Sequence, residues 1–385
     1  MQRKIRKIQI YSSIYELHAF YKSLFSNPPE GYKFEEFLSP TRRGYLRIFK
    51  KFSILKFVYK IFLKLFKIDI SSKIIGKEES EKTNLIFSTG VIYPGSNPWV
   101  LEILDSPYCL TGYNYQSFIK NKDKVEKKLL SKNCKKIIVV NETSLELMKK
   151  YFCQKIIEKT ELIRASIQKQ NFNKSKKEKL QILFMGSITN PNDFEMKGGL
   201  YVLEVFKRLS KKYNLNFVIK CRIPSWIKRK YCFKNLKIIE SKIPYSEIQN
   251  LYINSDIFLL PGRVYVLMAV LEAMSFGLPI ICLDTYAVRD YIINNQNGII
   301  VKKSKNVLYN DESYPCNVRD RKFAQIERKL DKTVIKDLYH ATVKLIEDKK
   351  LREKLSKKAK QIAETKFSLK VRNQKLKKIF DDALN

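Results

Sequence analysis

Apolar residues fall into two alternating patterns along this chain. Strand-sized runs recur at residues 84–88 (NLIFS), 100–104 (VLEIL), 135–140 (KKIIVV), 180–185 (LQILFM), 216–220 (NFVIK), 238–240 (IIE), 257–260 (IFLL) and 280–283 (IICL). Between them, apolar positions take helical spacing. Val202, Leu203, Phe206 and Leu209 share one face, as do Leu267, Val270, Leu271 and Met274. From Asp331 onward the pattern is helical throughout, with Val334, Leu338, Ala341 and Leu345 on one face, continued by Leu351, Leu355 and Ile362. Gly277 stands where a left-handed C-cap belongs, and Pro279 stands where a helix cannot continue. The stretch 257–283 is therefore a βαβ unit with a right-handed crossover. Strands alternating with helices predict an α/β, doubly wound fold with parallel sheets.

Local signals fill in the rest. Asn141 and Thr143 offer N-cap chemistry, with Glu146 three beyond Thr143 as in a capping box, and Ser246 is read as the N-cap of another helix. Residues 1 to about 45 read as irregular with one helix near 14–25, and the polar stretch 168–179 (QKQNFNKSKKEK) reads as a domain boundary. Residues 47–68 (RIFKKFSILKFVYKIFLKLFKI) form an apolar segment with a cationic stripe at Lys56, Lys60, Lys64 and Lys67. Such a stripe suits an anionic membrane surface, and it equally suits a part-buried helix with a solvated face.

Composition adds a constraint. The 385 residues suit two domains, and 75 Lys and Arg against 38 Asp and Glu leave a net charge of +37. That balance fits polyanionic surroundings, or simply lysine-rich solvated faces. Seven cysteines without paired spacing suggest neither a zinc site nor a disulfide framework, so a reducing cytoplasm is expected. Only two histidines, His18 and His340, leave little scope for a histidine metal site. No stretch has the length and apolarity of a membrane span, and the basic N-terminus lacks the apolar core of a signal peptide.

The candidate chemistry centres on residues 257–301. In such sheets ligands sit at the C-terminal ends of strands, which directs attention to the loop 261–266. Glu272 lies in the middle of an apolar helix, where Arg263 is the only other charge between Asp256 and Asp284. A buried carboxylate needs a partner, and a ribose diol is one candidate. Gly186 follows a strand, and Lys197 and Gly198 precede a helix, an arrangement that lets a phosphate approach the backbone.

The run LEAMSFGLPIICLD at 271–284 with NNQNGIIV at 294–301 resembles the donor-site signature of GT-B glycosyltransferases, in particular glycosyltransferase family 4. The resemblance runs from about Leu180 to the C-terminus. It implies two Rossmann-like domains facing a cleft: an acceptor-side domain at 1–170, a nucleotide-sugar domain at 180–365, and a final helix at 366–385 returning to the first domain. It implies that Glu272 holds the ribose of a nucleotide sugar, that Gly186, Ser187, Lys197 and Gly198 form the diphosphate element, and that Ile243 and Tyr245 contact the base. Gly262, Arg263, Val264, Tyr265 and Val266 would form the donor loop. Here the sequence departs from the family. Val264 stands where the first glutamate belongs, Tyr265 where a glycine belongs, and Ser187 where an arginine belongs, with Arg263 as a substitute phosphate cation. The catalytic group is left open, with Glu102, Asp105 and His18 as acceptor-side candidates.

The expected activity is therefore hexosyl transfer from a nucleotide-sugar donor to a glycan, lipid-linked or polysaccharide acceptor, retaining, with no metal and no cofactor. The setting would be cell-envelope glycan synthesis in the cytoplasm or peripherally at the inner membrane face. Two alternatives stand beside it: a catalytically degenerate nucleotide-sugar or glycan-binding assembly partner, and a polyanion-binding protein. No nucleic-acid module is recognised, so nucleic acid is not an expected partner.

Overall fold

A computed structural model describes residues 5–12, 19–38, 85–103, 105–174, 178–186, 193–263, 267–305 and 329–384. The basic segment 47–68 lies outside the described residues, as do His18, Ser187, Val264, Tyr265 and Val266. The chain divides into two compact units, one of residues 1–165 with 372–385, the other of residues 166–371.

The first unit carries β1 (Arg6–Ser12), α1 (Ala19–Ser26), β2 (Tyr32–Leu38), β3 (Leu85–Thr89), β4 (Trp99–Ile103), α2 (Tyr115–Leu129), β5 (Cys134–Val139), α3 (Glu142–Tyr151), α4 (Gln154–Glu158) and β6 (Thr160–Leu162). All neighbouring strands are parallel, in the order β2-β1-β3-β4-β5-β6. The strands β1 and β2 correct the expectation of an irregular N-terminus. Ile8 and Ile10 are fully buried while Lys7 is exposed and Gln9 only part-buried, a period-two signal too short and too charged to read as an apolar run. At α3 the cap is Asn141, whose side chain accepts from Ser144 N at 2.7 Å, and not Thr143. Glu146 instead pairs with Lys149.

The second unit carries β7 (Gln181–Met185), α5 (Asp193–Met196), α6 (Gly199–Leu209), β8 (Asn216–Lys220), α7 (Ser225–Lys230), β9 (Leu236–Ile239), α8 (Tyr245–Ile253), β10 (Ile257–Leu260), α9 (Leu267–Ser275), β11 (Ile280–Leu283), β12 (Gly298–Val301), α10 (Lys332–Glu347) and α11 (Lys349–Thr365). Its strands are again parallel, in the order β9-β8-β7-β10-β11-β12. Numbered within the unit, this is 3-2-1-4-5-6, the doubly wound dinucleotide-binding order, and it reverses between β7 and β10. The α9 stop is a Schellman motif. Gly277 takes φ 65°, Leu278 N donates to Ala273 O and Gly277 N to Met274 O, each at 2.9 Å. Ser246 is not a cap: α8 begins at Tyr245 behind Pro244, with no side-chain cap bond.

The polar stretch after residue 165 packs on the second unit. Lys174 Nζ donates to Ser255 O at 2.9 Å, and the Phe172 ring lies 5.3 Å from that of Phe276. A last helix, α12 (Leu369–Leu384), starts in the second unit and from Arg372 belongs to the first. There Arg372 is buried, donating to Ser23 Oγ at 2.7 Å and to Asn27 O at 2.9 Å, while Phe380 packs edge-on against Phe34 and Phe87.

Candidate functional site

At the switch point of the second sheet, Gly186, just past β7, and Pro261 to Arg263, just past β10, meet the start of α6. Gly198 is the N-cap of α6 with φ 79°, and a Cβ there would lie 2.2 Å from the carbonyl oxygen of Pro261. Only glycine permits both the left-handed backbone and this approach. Arg263 N donates to Met196 O at 3.1 Å, and Thr285 Oγ1 donates to Gly262 O at 3.1 Å, so Gly262 and Arg263 are held from both sides. A Cβ on Gly186, just past β7, would lie 2.6 Å from Cys221 Sγ and 3.6 Å from Lys197 Cδ. The half-buried Lys197 thus lies alongside Gly186, with the amino end of α6 beginning one residue later. A point charge and a helix N-terminus converging on a glycine suit a phosphate.

Glu272 sits in α9, beyond the loop after β10. The Tyr252 hydroxyl donates to its Oε2 at 3.0 Å, and burial pushes its carboxyl up to about 7 against the opposing effect of that bond. Tyr252 is fully buried and stacks on Phe276 at 5.2 Å and 6°. Tyr245 opens α8 with its side chain 49% exposed; its hydroxyl is pushed up to about 12 by desolvation and then by the Glu272 charge. Tyr245 therefore shares the electrostatic surroundings of Glu272, and the part-exposed Ile243 precedes it after β9. Gly186, Gly262, Ile243 and Tyr245 thus all follow C-terminal strand ends of one sheet.

Arg263 differs from its expected role. Its side chain is fully buried, its guanidinium lies 5.0 Å from the centre of the Tyr201 ring, and Nη2 donates to the Tyr201 hydroxyl. That hydroxyl also accepts from Asp331 N at 3.1 Å. Burial would raise the Asp331 carboxyl, but bonds from Ser304, Thr333 and Val334 and the charge of Arg263 hold it below the usual range. This guanidinium is enclosed in an internal network, unlike the open cation that a substitute for arginine at 187 requires.

Two other expectations fall in the first unit. Glu102 is buried in β4, and its charge favours the charged form of the Arg372 guanidinium, which burial disfavours. Asp105 follows β4; its carboxylate accepts from Ser106 N and its carbonyl from Ser144 Oγ.

The sequence reading passed over Lys220. It ends β8, pairs in register with Met185, and its carbonyl accepts from Gly186 N at 2.9 Å. The residue is 5% exposed, and its ammonium has neither a hydrogen bond nor an ion pair among the described residues. Burial pulls its pKa down. The signal was available: a lysine closing an otherwise apolar strand.

Residues 166–310 match the family described as Glycosyl transferases group 1. No curated protein matches the chain. Among solved structures, sucrose-phosphate synthase from Thermosynechococcus elongatus is similar at TM-score 0.63 and 10% identity, with 98% of each chain covered. Anabaena HepE, solved with UDP and glucose, gives 0.59 and 11%, covering 98% of this chain and 99% of that one. A point mutant of S. aureus TarM, solved with fondaparinux, alpha-GlcNAc-glycerol and UDP, gives 0.54 and 13%, covering 77% of this chain. The present chain spans about half of TarM, 55% of its length. Both parallel sheets and the likeness to these structures give the chain a GT-B fold, and its residues 166–310 match glycosyl transferases group 1.

Proposed function

We propose that the protein transfers a sugar from a nucleotide-sugar donor to a glycan or lipid-linked acceptor. One observation carries the reading: a carboxylate, Glu272, held by the buried Tyr252 hydroxyl in the helix after the switch-point loop. A carboxylate pushed up by burial gains most from ligand hydroxyls that donate to it, and a ribose diol supplies two. Ile243 and the half-exposed Tyr245 would flank the base. Lys197, the amino end of α6 and Lys220 would carry the charge of the leaving diphosphate. Chemistry of this kind rests on positioning and charge stabilisation. Such a set works without a metal, and transfer with retention follows from the family resemblance. UDP in HepE and TarM makes uridine donors the first to try.

A second reading has its own support. Arg263 is enclosed, and Ser187 and Val264 stand where the family places an arginine and a glutamate. A nucleotide-sugar-binding partner without turnover would tolerate all three. The location we propose is cytoplasmic, peripheral at the inner membrane face. Among the described residues no helix is long and apolar enough to cross a membrane.

The test is binding and hydrolysis over a panel of UDP-, GDP-, ADP- and dTDP-sugars, with Glu272→Ala and Lys197→Ala in parallel. One donor bound selectively, lost in both variants and slowly hydrolysed, supports the transferase. Binding without release, with lipid and glycan acceptors added, supports the assembly partner. No binding anywhere in the panel overturns both.

A further inference from the structure

The second unit has another concave site, at the opposite edge of its sheet. Asn295 and Gln296, in the turn that enters β12 from its N-terminal end, face one side of α11 across a cavity of about 980 Å³. From α11 come Lys350, Lys354, Lys357, Lys358, Glu353 and Gln361. The donor elements described above follow C-terminal strand ends, so this cavity is separate from them.

Four lysines face one glutamate there, and Glu353 lies 3.9 Å from Lys349, which is outside the cavity. Lys358 donates to Gln361 at 3.1 Å, while Lys350, Lys354 and Lys357 have no hydrogen bond or ion pair among the described residues. Positions 350, 354, 357 and 358 repeat along one helix face over about 12 Å. Like charges at this spacing repel, so the face is held at a cost to the helix. The other face of α11 is committed to packing: Leu355, Ala359 and Ile362 are buried, and Ser356 Oγ donates to Gly277 O.

The turn divides its amides between two tasks. Asn294 accepts from Ile300 N at 2.9 Å; Asn297 accepts from Ile293 N at 2.7 Å and donates to Tyr291 O at 2.9 Å. These two build the turn. Asn295 takes φ 60°, and the side chains of Asn295 and Gln296 are exposed, without a hydrogen bond among the described residues. Cations along one wall and uncommitted amides along the other suit a chain carrying regular negative charge and hydroxyls. Among the described residues, no aromatic ring lines the cavity to stack a base, and no apolar side chain lines it to enter a bilayer.

We infer that the groove between α11 and the 294–297 turn binds an anionic polyol chain, a phosphodiester-linked polyol or glycan, independently of the donor site.

The test uses the full chain and fluorescently labelled poly(glycerol phosphate), titrated at several salt concentrations. Lys350→Gln/Lys354→Gln/Lys357→Gln should weaken binding roughly tenfold or more and flatten the slope of log K against log salt by about 2. The same charge change on α2, Lys120→Gln/Lys124→Gln/Lys128→Gln, should leave affinity within about twofold at physiological salt. Asn295→Ala/Gln296→Ala should weaken the polyol phosphate while leaving inorganic polyphosphate unchanged. Equal losses in the two lysine triples would overturn the inference, since net charge alone would then explain them. So would a groove triple that loses RNA or anionic vesicles but keeps poly(glycerol phosphate). Thermal melts should show the groove triple folded, because it removes repulsion without touching the buried face.

Discussion

The Tyr252 hydroxyl donates to Glu272 Oε2 at 3.0 Å, tying α8 to α9 and giving a part-buried carboxylate its partner. The bond lowers the cost of burying Glu272 without cancelling it, since the carboxyl is still pushed up to about 7 from 4.5.

Glu272→Gln should therefore move stability and binding in opposite directions. Between about pH 4.5 and 7 the folded state keeps a proton that the unfolded state has released, so stability falls as pH rises through that window. Glutamine removes this dependence. Its melting temperature should gain on the wild type from pH 5 to pH 8, by at most about 3 kcal/mol of stability. Donor affinity should drop at every pH. A variant that gains stability and keeps its donor would separate Glu272 from binding.

Donor binding by the wild type should itself weaken as pH falls below about 7, because ribose hydroxyls donate to the ionised carboxylate. Calorimetric titration of UDP across that range checks it. A flat profile would point to a protonated Glu272 in the complex.

Gly198→Ala should cost about 2–4 kcal/mol, since it meets both the positive φ and the Pro261 carbonyl. Chemical denaturation measures the loss. Donor affinity should fall with it, because α6 can no longer start against the β10 loop.

Lys220→Met should raise the melting temperature at neutral pH, and the gain should shrink toward pH 10. The lysine's folded pKa is depressed below 10.5, so its burial penalty is largest where the unfolded chain still holds the proton. UDP affinity should fall in the same variant. A gain in stability with unchanged affinity would leave Lys220 outside the diphosphate site.

Much of the second unit was legible because its strands are apolar runs and α9 stops on a glycine. The IFLL and IICL strands, the α9 face and the Gly277 stop follow from spacing alone. Glu272 stood out because it is the one charge in an otherwise largely apolar helix. Arg263 was harder to read: a lone arginine in an apolar stretch looks like a free cation until Tyr201, 62 residues away in sequence, encloses it. The N-terminal strands were hidden for a related reason. In β1 the burial alternates at first, and the exposed Arg6 and Lys7 and the polar Gln9 mask Ile8 and Ile10. Lys220 has the opposite history, visible as an oddity in NFVIK but given meaning only by the neighbouring Gly186.

Phe380→Ala should cost about 3–5 kcal/mol, because the ring fills space between Phe34 and Phe87. Limited proteolysis should show the loss as cleavage within residues 5–38 and 85–165, far from the altered position in sequence.

That ring has a consequence for synthesis. During translation, residues 166–371 emerge as one uninterrupted stretch with their whole sheet in hand. The stretch made first must wait for Arg372, Phe380 and Asp381 to leave the ribosome before it can seat Ser23, Phe34 and Tyr32. The unit begun earliest is thus completed last. A chain cut off at residue 371 would hold every residue of the second unit, while its first unit would lack the helix segment that closes it.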